Sequence, residues 1–330
     1  MFRRKLAALG VALGLLSLSA CGSSGAQESD DGTVTIKTGI LPSVGLAPLY
    51  LGMKKGFFAE QRIKIETQQA EGGAALLPAV TSGEIQVGFS NAVSLMLARQ
   101  KGLPVRAIVN GPLQTEPGSG WPEDSTYDAL LVAKDSPVRS VKDLAGKTIA
   151  VNTLKNIEEV LVKYAIDQSG GDSSKVKLVE LPTSQMPGAL EQGKVAAALA
   201  IDPYVTVALD QGARILLRPF EHLDPAASVS MYFASEEFIE KEPDTVKRFV
   251  AAMNKSIEYA QAHQDEARQE VVGYTEIDPA LVERITLPYW STDLNYESVE
   301  KLGDLAVQYK VLAREPDLDA VLGSLAEDRG

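Results

Sequence analysis

Residues 45–111 switch back and forth between two hydrophobic periods, and nothing else in the chain restricts its fold as strongly. A helical segment at 49–55 stops at Gly56, where a left-handed residue ends a helix. Ile63 and Ile65 alternate with charged residues, as in a strand buried on one face. Leu76, Leu77, Ala79 and Val80 line a helix ending near Gly83. The apolar strand 85–89 runs into Ser90-Asn91, a pair of helix N-cap types, and the helix they open reaches Gly102. A further strand ends near Asn110. Helices between strands imply an α/β fold with mostly parallel sheets, and ligand loops at the carboxyl ends of the strands.

The pattern occurs twice. Residues 78–102 (PAVTSGEIQVGFSNAVSLMLARQKG) and 188–212 (GALEQGKVAAALAIDPYVTVALDQG) align at a fixed offset, with Gly83 on Gly193 and Gly102 on Gly212. Strand 85–89 falls on 195–199, and the helix opening at Ser90-Asn91 falls on the one at 200–203. Asp202-Pro203 is itself a helix start, a cap residue followed by Pro in the first turn. Further strands are predicted at 33–40, 128–133, 148–151 and 228–234, and a helix after Asn156 that closes at Gly170-Gly171. Helices then dominate: 243–262, 264–274, 279–287 and 296–309. This tail should pack back on the first unit.

The N-terminus reads as an address. Arg3, Arg4 and Lys5 precede an uncharged apolar run, 6–20, too short for a comfortable membrane span. It ends in Leu18-Ser19-Ala20-Cys21, which resembles the bacterial lipobox, a motif whose Cys becomes a lipid-bearing N-terminus. Cys21 is the only Cys, so the mature chain forms no internal disulfide. Residues 22–32, small and polar, fit a flexible tether. Removing the leader takes the formal charge from -12 to -15, which argues against nucleic acid and anionic lipid as partners.

Catalytic motifs are absent from the sequence: no Gly-x-Ser-x-Gly, no Walker loop, no His-Glu-x-x-His and no metal-ligand spacing. The two His, His222 and His263, sit in charged surroundings. What the chain offers is a set of helix openings at strand ends: Ser43, Gly72, Ser90-Asn91, Asn152-Thr153 and Asp202. Each has unpaired backbone N–H groups, and each helix end contributes roughly 0.3–1 kcal/mol toward a polar or anionic group. Asn110 joins them as a candidate ligand contact. Lys155 is the only basic residue in these openings, so no Arg fork clamps an anion. Asp202 either caps its own helix or faces a ligand with a donor or positive charge. Tyr204 and Trp121 either stack on a ligand ring or pack as core and loop anchor.

The segments Ala47-Pro48-Leu49-Tyr50, Lys55-Gly56-Phe57-Phe58-Ala59-Glu60 and Thr81-Ser82-Gly83-Glu84-Ile85-Gln86-Val87-Gly88 resemble solute-binding proteins of ABC importers, in the branch for nitrate, sulfonates, taurine and thiamine pyrimidine precursors. In the second half the likeness lies in Asp143-Leu144-Ala145-Gly146-Lys147-Thr148-Ile149-Ala150-Val151 and Ala189-Leu190-Glu191-Gln192-Gly193-Lys194-Val195-Ala196-Ala197-Ala198, and it continues through 243–252. The resemblance implies a two-lobed type II periplasmic-binding fold with two hinge strands. It places 33–127 plus about 235–330 in lobe I and 128–234, hinge strands included, in lobe II, after a leader at 1–21. It also implies a monomeric receptor on the outer face of the cell membrane, held by lipid alone. Such a receptor hands a sulfonate, aromatic acid, pyrimidine precursor or nitrate-like anion to an ABC permease and its ATPase, with no cofactor or metal. The other readings are a lipoprotein that senses without transporting, and a pyrimidine-synthesising enzyme on the same fold. The Cys-rich motif of those enzymes cannot exist in a chain with one Cys.

Overall fold

A computed structural model describes residues 27–70, 72–120 and 126–326. The leader, Cys21 and Trp121 lie outside the described residues. Two mixed sheets carry the chain. The first runs in the order Ile63–Gln69, Val34–Ile40, Val87–Asn91, Ser230–Ser235, Val105–Asn110, with the short Gln27–Glu28 also against Val34–Ile40. The second runs Lys177–Glu180, Thr148–Val151, Ala197–Ile201, Asp128–Val132, Arg214–Leu217.

The two orders are the same. In each sheet the first three strands are parallel, and the fourth is antiparallel to its neighbours on both sides. In the first sheet that fourth strand returns from beyond the second sheet, whereas the second sheet is built from the continuous run 128–217. Asp128–Val132 enters the second sheet directly after Val105–Asn110 leaves the first, and Ser230–Ser235 returns after Arg214–Leu217. The strand near 230, grouped with the second lobe from sequence, is therefore an interior strand of the first sheet. Its backbone groups are taken by Val87–Asn91 on one side and Val105–Asn110 on the other.

The sequence repeat survives at the backbone. Val87–Asn91 and Ala197–Ile201 keep the offset read from sequence. Gly83, Gly193, Gly102 and Gly212 all adopt positive φ, at 76°, 65°, 81° and 87°. Both strands lie two residues later than the apolar pattern suggested. Two short strands, Lys177–Glu180 and Arg214–Leu217, lacked a sequence signal, since neither has a buried residue to create a period.

The C-terminal helices pack on the first sheet's side, as expected. Pro243–Ala262 matches its predicted span and lies along Ala47–Lys55. Phe58 meets Phe249 with ring centroids 5.8 Å apart, and Lys55 pairs with Glu266 at 2.6 Å. The two helices touch at Gly52, where a Cβ would sit 1.9 Å from Ser256 Oγ. Among the described residues no helix is long and apolar enough to cross a membrane.

This close approach can be tested. Gly52→Ala should overpack the contact and cost about 1–3 kcal/mol in urea unfolding. Gly273→Ala, on an exposed helix position where a Cβ meets nothing within 4 Å, should instead add about 0.5–1 kcal/mol. Equal effects would show that helix propensity, and not the Gly52–Ser256 contact, sets the difference.

Candidate functional site

A cavity of about 80 Å³ lies where the two sheets present their carboxyl ends to each other. Leu41, Pro42 and Ser43 follow Val34–Ile40, Ala70 follows Ile63–Gln69, and Phe89 and Asn91 close Val87–Asn91. From the second sheet come Asn152 after Thr148–Val151, Pro182, Thr183 and Ser184 after Lys177–Glu180, and Ile201 at the end of Ala197–Ile201. Every parallel strand of both sheets thus contributes a residue, the placement expected for a ligand in an open α/β sheet. Ile157, Glu158, Val229 and Ser230 complete the lining.

Of the residues singled out in sequence, Ser43, Asn91 and Asn152 border the cavity. Gly72 and Thr153 meet beside it. A Cβ on Gly72 would fall 2.1 Å from Thr153 Oγ1, so the missing side chain is what lets the two halves close there. Ser90 is fully buried against Gly73, where a Cβ would lie 2.3 Å from its Oγ, and this hydroxyl has no partner among the described residues.

Three further candidates are engaged elsewhere. Asn110 donates from Nδ2 to the carbonyls of Ser291 and Asp293, at 3.0 and 2.8 Å. Tyr204 is buried in the second sheet's core beside Met186 and Leu190. Asp202 resolves in favour of the cap: Oδ1 accepts from Thr206 N–H at 2.8 Å, and Oδ2 from Thr286 N–H at 2.6 Å. Its carbonyl accepts from Val44 N–H at 3.1 Å, and its own N–H donates to Tyr127 O at 2.7 Å. Asp202, preceding the cis Asp202-Pro203 bond, is thus tied to both halves of the molecule through its backbone and side chain.

The helix openings are also less available than their sequence suggests. Asn91 Oδ1 accepts from Ser94 N–H, and Asn156 Oδ1 from the N–H groups of Glu158 and Glu159. Glu159 Oε2 accepts from Lys155 N–H, and Lys155 itself is exposed. The Ser43 and Gly72-Gly73 openings have no side-chain cap, and the second lies against Thr153 and Ser90.

Sequence reasoning missed Glu158. It sits one residue from the apolar stripe of Ile157–Gln168 and reads as a solvent-facing acid, yet it is 2% exposed. Its Oε2 accepts from Asn152 N–H at 2.7 Å, while Oε1 has no partner among the described residues. Burial pushes its carboxyl up to about 8, against the Asn152 N–H bond, with the Asp128 charge adding to the rise. Asp128, fully buried at the start of its strand, is pushed up to about 7 by burial, opposed by the Gln114 amide. Asp202 is likewise pushed up to about 7 by burial, against its two backbone hydrogen bonds. Asp128 opens a strand and Asp202 follows one, but Glu158, in the first turn of Ile157–Gln168, carries no such signal.

The comparisons with known proteins agree with this architecture. Residues 44–267 match the family described as NMT1/THI5 like. A putative aliphatic sulfonates-binding protein from Bacillus subtilis is 27% identical over 277 residues, covering 81% of this chain and 78% of that protein. A 4-amino-5-hydroxymethyl-2-methylpyrimidine phosphate synthase from Aspergillus parasiticus is 25% identical over 268 residues, covering 75% and 73%. The alkanesulfonate-binding protein of Xanthomonas axonopodis pv. citri, solved with MOPS, superposes with a TM-score of 0.69 at 19% identity, covering 90% of this chain and 99% of that one. That likeness shows the fold, a two-lobed periplasmic-binding architecture.

The buried acids give a pH signature. A carboxyl with its folded pKa above its unfolded value stabilises the fold while protonated, and this contribution is lost as pH rises through the folded value. The ligand-free protein should melt lower at pH 8 than at pH 5, and Asp128→Asn should shrink the difference. A melting temperature that climbs between those pH values would contradict the assignment.

Proposed function

The chain belongs to the NMT1/THI5-like family, and on that premise we propose that it is an extracytoplasmic solute-binding protein of an ABC importer. It captures a small organic molecule between its two lobes and delivers it to a permease. The observation that carries this reading is the cavity bordered by the carboxyl ends of parallel strands from both sheets. Only the two crossings link the sheets through the chain, so a hinge motion about them opens and closes the cleft, and a ligand that touches both sides shifts the population toward closure. The lobes divide at those crossings, near residues 111–127 and 218–229. A binding role is further supported by relatives and structures that are themselves named binding proteins.

We place the protein on the outer face of the cell membrane, held as a monomer by lipid on Cys21. Cys21→Ser should move it from the membrane fraction to the soluble one, and an unchanged distribution would remove the lipid anchor from the proposal.

A thermal-shift screen over sulfonates, aromatic acids, pyrimidines, nitrate and organic bases tests the binding role. A ligand at 100 times its Kd adds about 2.7 kcal/mol of stability. Ser43→Ala and Asn152→Ala should each weaken the hit, since the two residues face it from opposite sheets. A compound chemically converted during the assay, or no stabilisation by any class, would overturn the receptor reading.

A further inference from the structure

We propose that the cleft selects a small organic base, held through an N–H donor by the carboxyl of Glu158, and discriminates against compact anions such as sulfonates and nitrate. The inference rests on the receptor reading above and names the substrate class for that site.

The first support is the state of the donors. An anion at a helix N-terminus needs unpaired backbone N–H groups. Around this cavity the protein's own acceptors take part of that set, Asn91 on Ser94 and Asn156 on Glu158 and Glu159, while the openings at Ser43 and Gly72 have no side-chain cap. The Glu158 carboxyl consumes one more, the N–H of Asn152.

The second is charge. Glu158 is the only ionisable side chain on the cavity's border among the described residues, so no Lys, Arg or His stands there to offset an anion. Behind it lie two more buried acids, Asp128 and Asp202. A sulfonate would lose its hydration beside the Glu158 carboxyl, with no cation in return.

The third is the unused oxygen. A buried polar atom without a partner costs free energy until something pairs with it. Glu158 Oε1 is such an atom. Apolar Phe89, Ile157 and Ile201 flank the acid and suit the carbon frame of an organic ligand. The cavity's volume of about 80 Å³ would hold roughly five to eight waters, which sets the size of the guest.

The proton balance is simple. Burial in the empty cleft favours the protonated carboxyl. A base entering in its free form takes that proton onto its nitrogen. A base entering as the cation sends the proton to solvent. Both routes end in the same carboxylate and N–H⁺ pair, a charge-assisted hydrogen bond of the strong kind.

The test uses the mature full chain, with 4-aminopyridine and ethanesulfonate as size-matched probes in calorimetry at pH 7. The wild-type protein should bind 4-aminopyridine at least tenfold more tightly than ethanesulfonate. Glu158→Gln keeps an acceptor for Asn152 N–H but cannot ionise. It should weaken 4-aminopyridine at least tenfold, with little loss for the sulfonate. If this variant fails to fold, the wild-type preference decides alone. Tighter binding of ethanesulfonate overturns the inference and leaves the receptor reading standing. So does equal binding of 4-aminopyridine by wild type and Glu158→Gln. Failure of 4-aminopyridine to bind at millimolar concentration also overturns it, and the wider screen then judges the receptor reading separately.

Discussion

The first sheet depends on a strand that arrives only after the chain has built the second. Asp128–Val132 lies in the second sheet antiparallel to Ala197–Ile201 and Arg214–Leu217, and Ser230–Ser235 does the same in the first between Val87–Asn91 and Val105–Asn110. A strand with both edges paired cannot leave without orphaning two rows of backbone hydrogen-bonding groups. The first sheet is not complete until the chain has crossed over and come back, so Asp128–Val132 and Ser230–Ser235 fix the two crossings at their roots. The carboxyl ends of parallel strands from both sheets border one cavity.

The gap inherits its chemistry from those ends. A parallel strand followed by a helix brings a polar turn and a helix N-terminus to its carboxyl end, and here several such turns converge. Some of their N–H groups are taken from within, by Asn91, Asn156 and Asp202. The remaining ionisable group is an acid, Glu158, and burial rather than a partner governs it. The same backbone plan that offers anion sites elsewhere therefore yields a pocket with an acceptor to spare. Local capping chemistry, not the fold, sets the polarity of the site.

Much of the scaffold was legible because it rests on periodicity. The helices Ile157–Gln168, Pro243–Ala262 and Tyr296–Gln308 bury one stripe each, and such stripes show in a sequence. The repeat showed because its glycines are required: Gly83, Gly102, Gly193 and Gly212 all hold positive φ at matched turns. Lys177–Glu180 and Arg214–Leu217 stayed hidden because their residues are partly exposed and follow no inside–outside rhythm. In the site, Ser43, Asn91 and Asn152 could be named because they follow strands. Asn110, Asp202 and Tyr204 follow the same logic, but their side chains are spent on Ser291 and Asp293, on Thr206 and Thr286, and on the core.

The sequence by itself determined the class of fold, the twofold repeat and the set of strand ends that could meet, because each is written in local spacing of apolar residues and turn glycines. Tertiary structure alone decided which sheet takes the strand at Ser230–Ser235, which caps are already satisfied, and that Glu158 is a buried acid on the cavity's border. Hydrogen-bond partners far apart in the chain, such as Asp202 with Thr286 and Val44, leave no mark on local pattern. Burial of a charge is likewise a property of what folds over it.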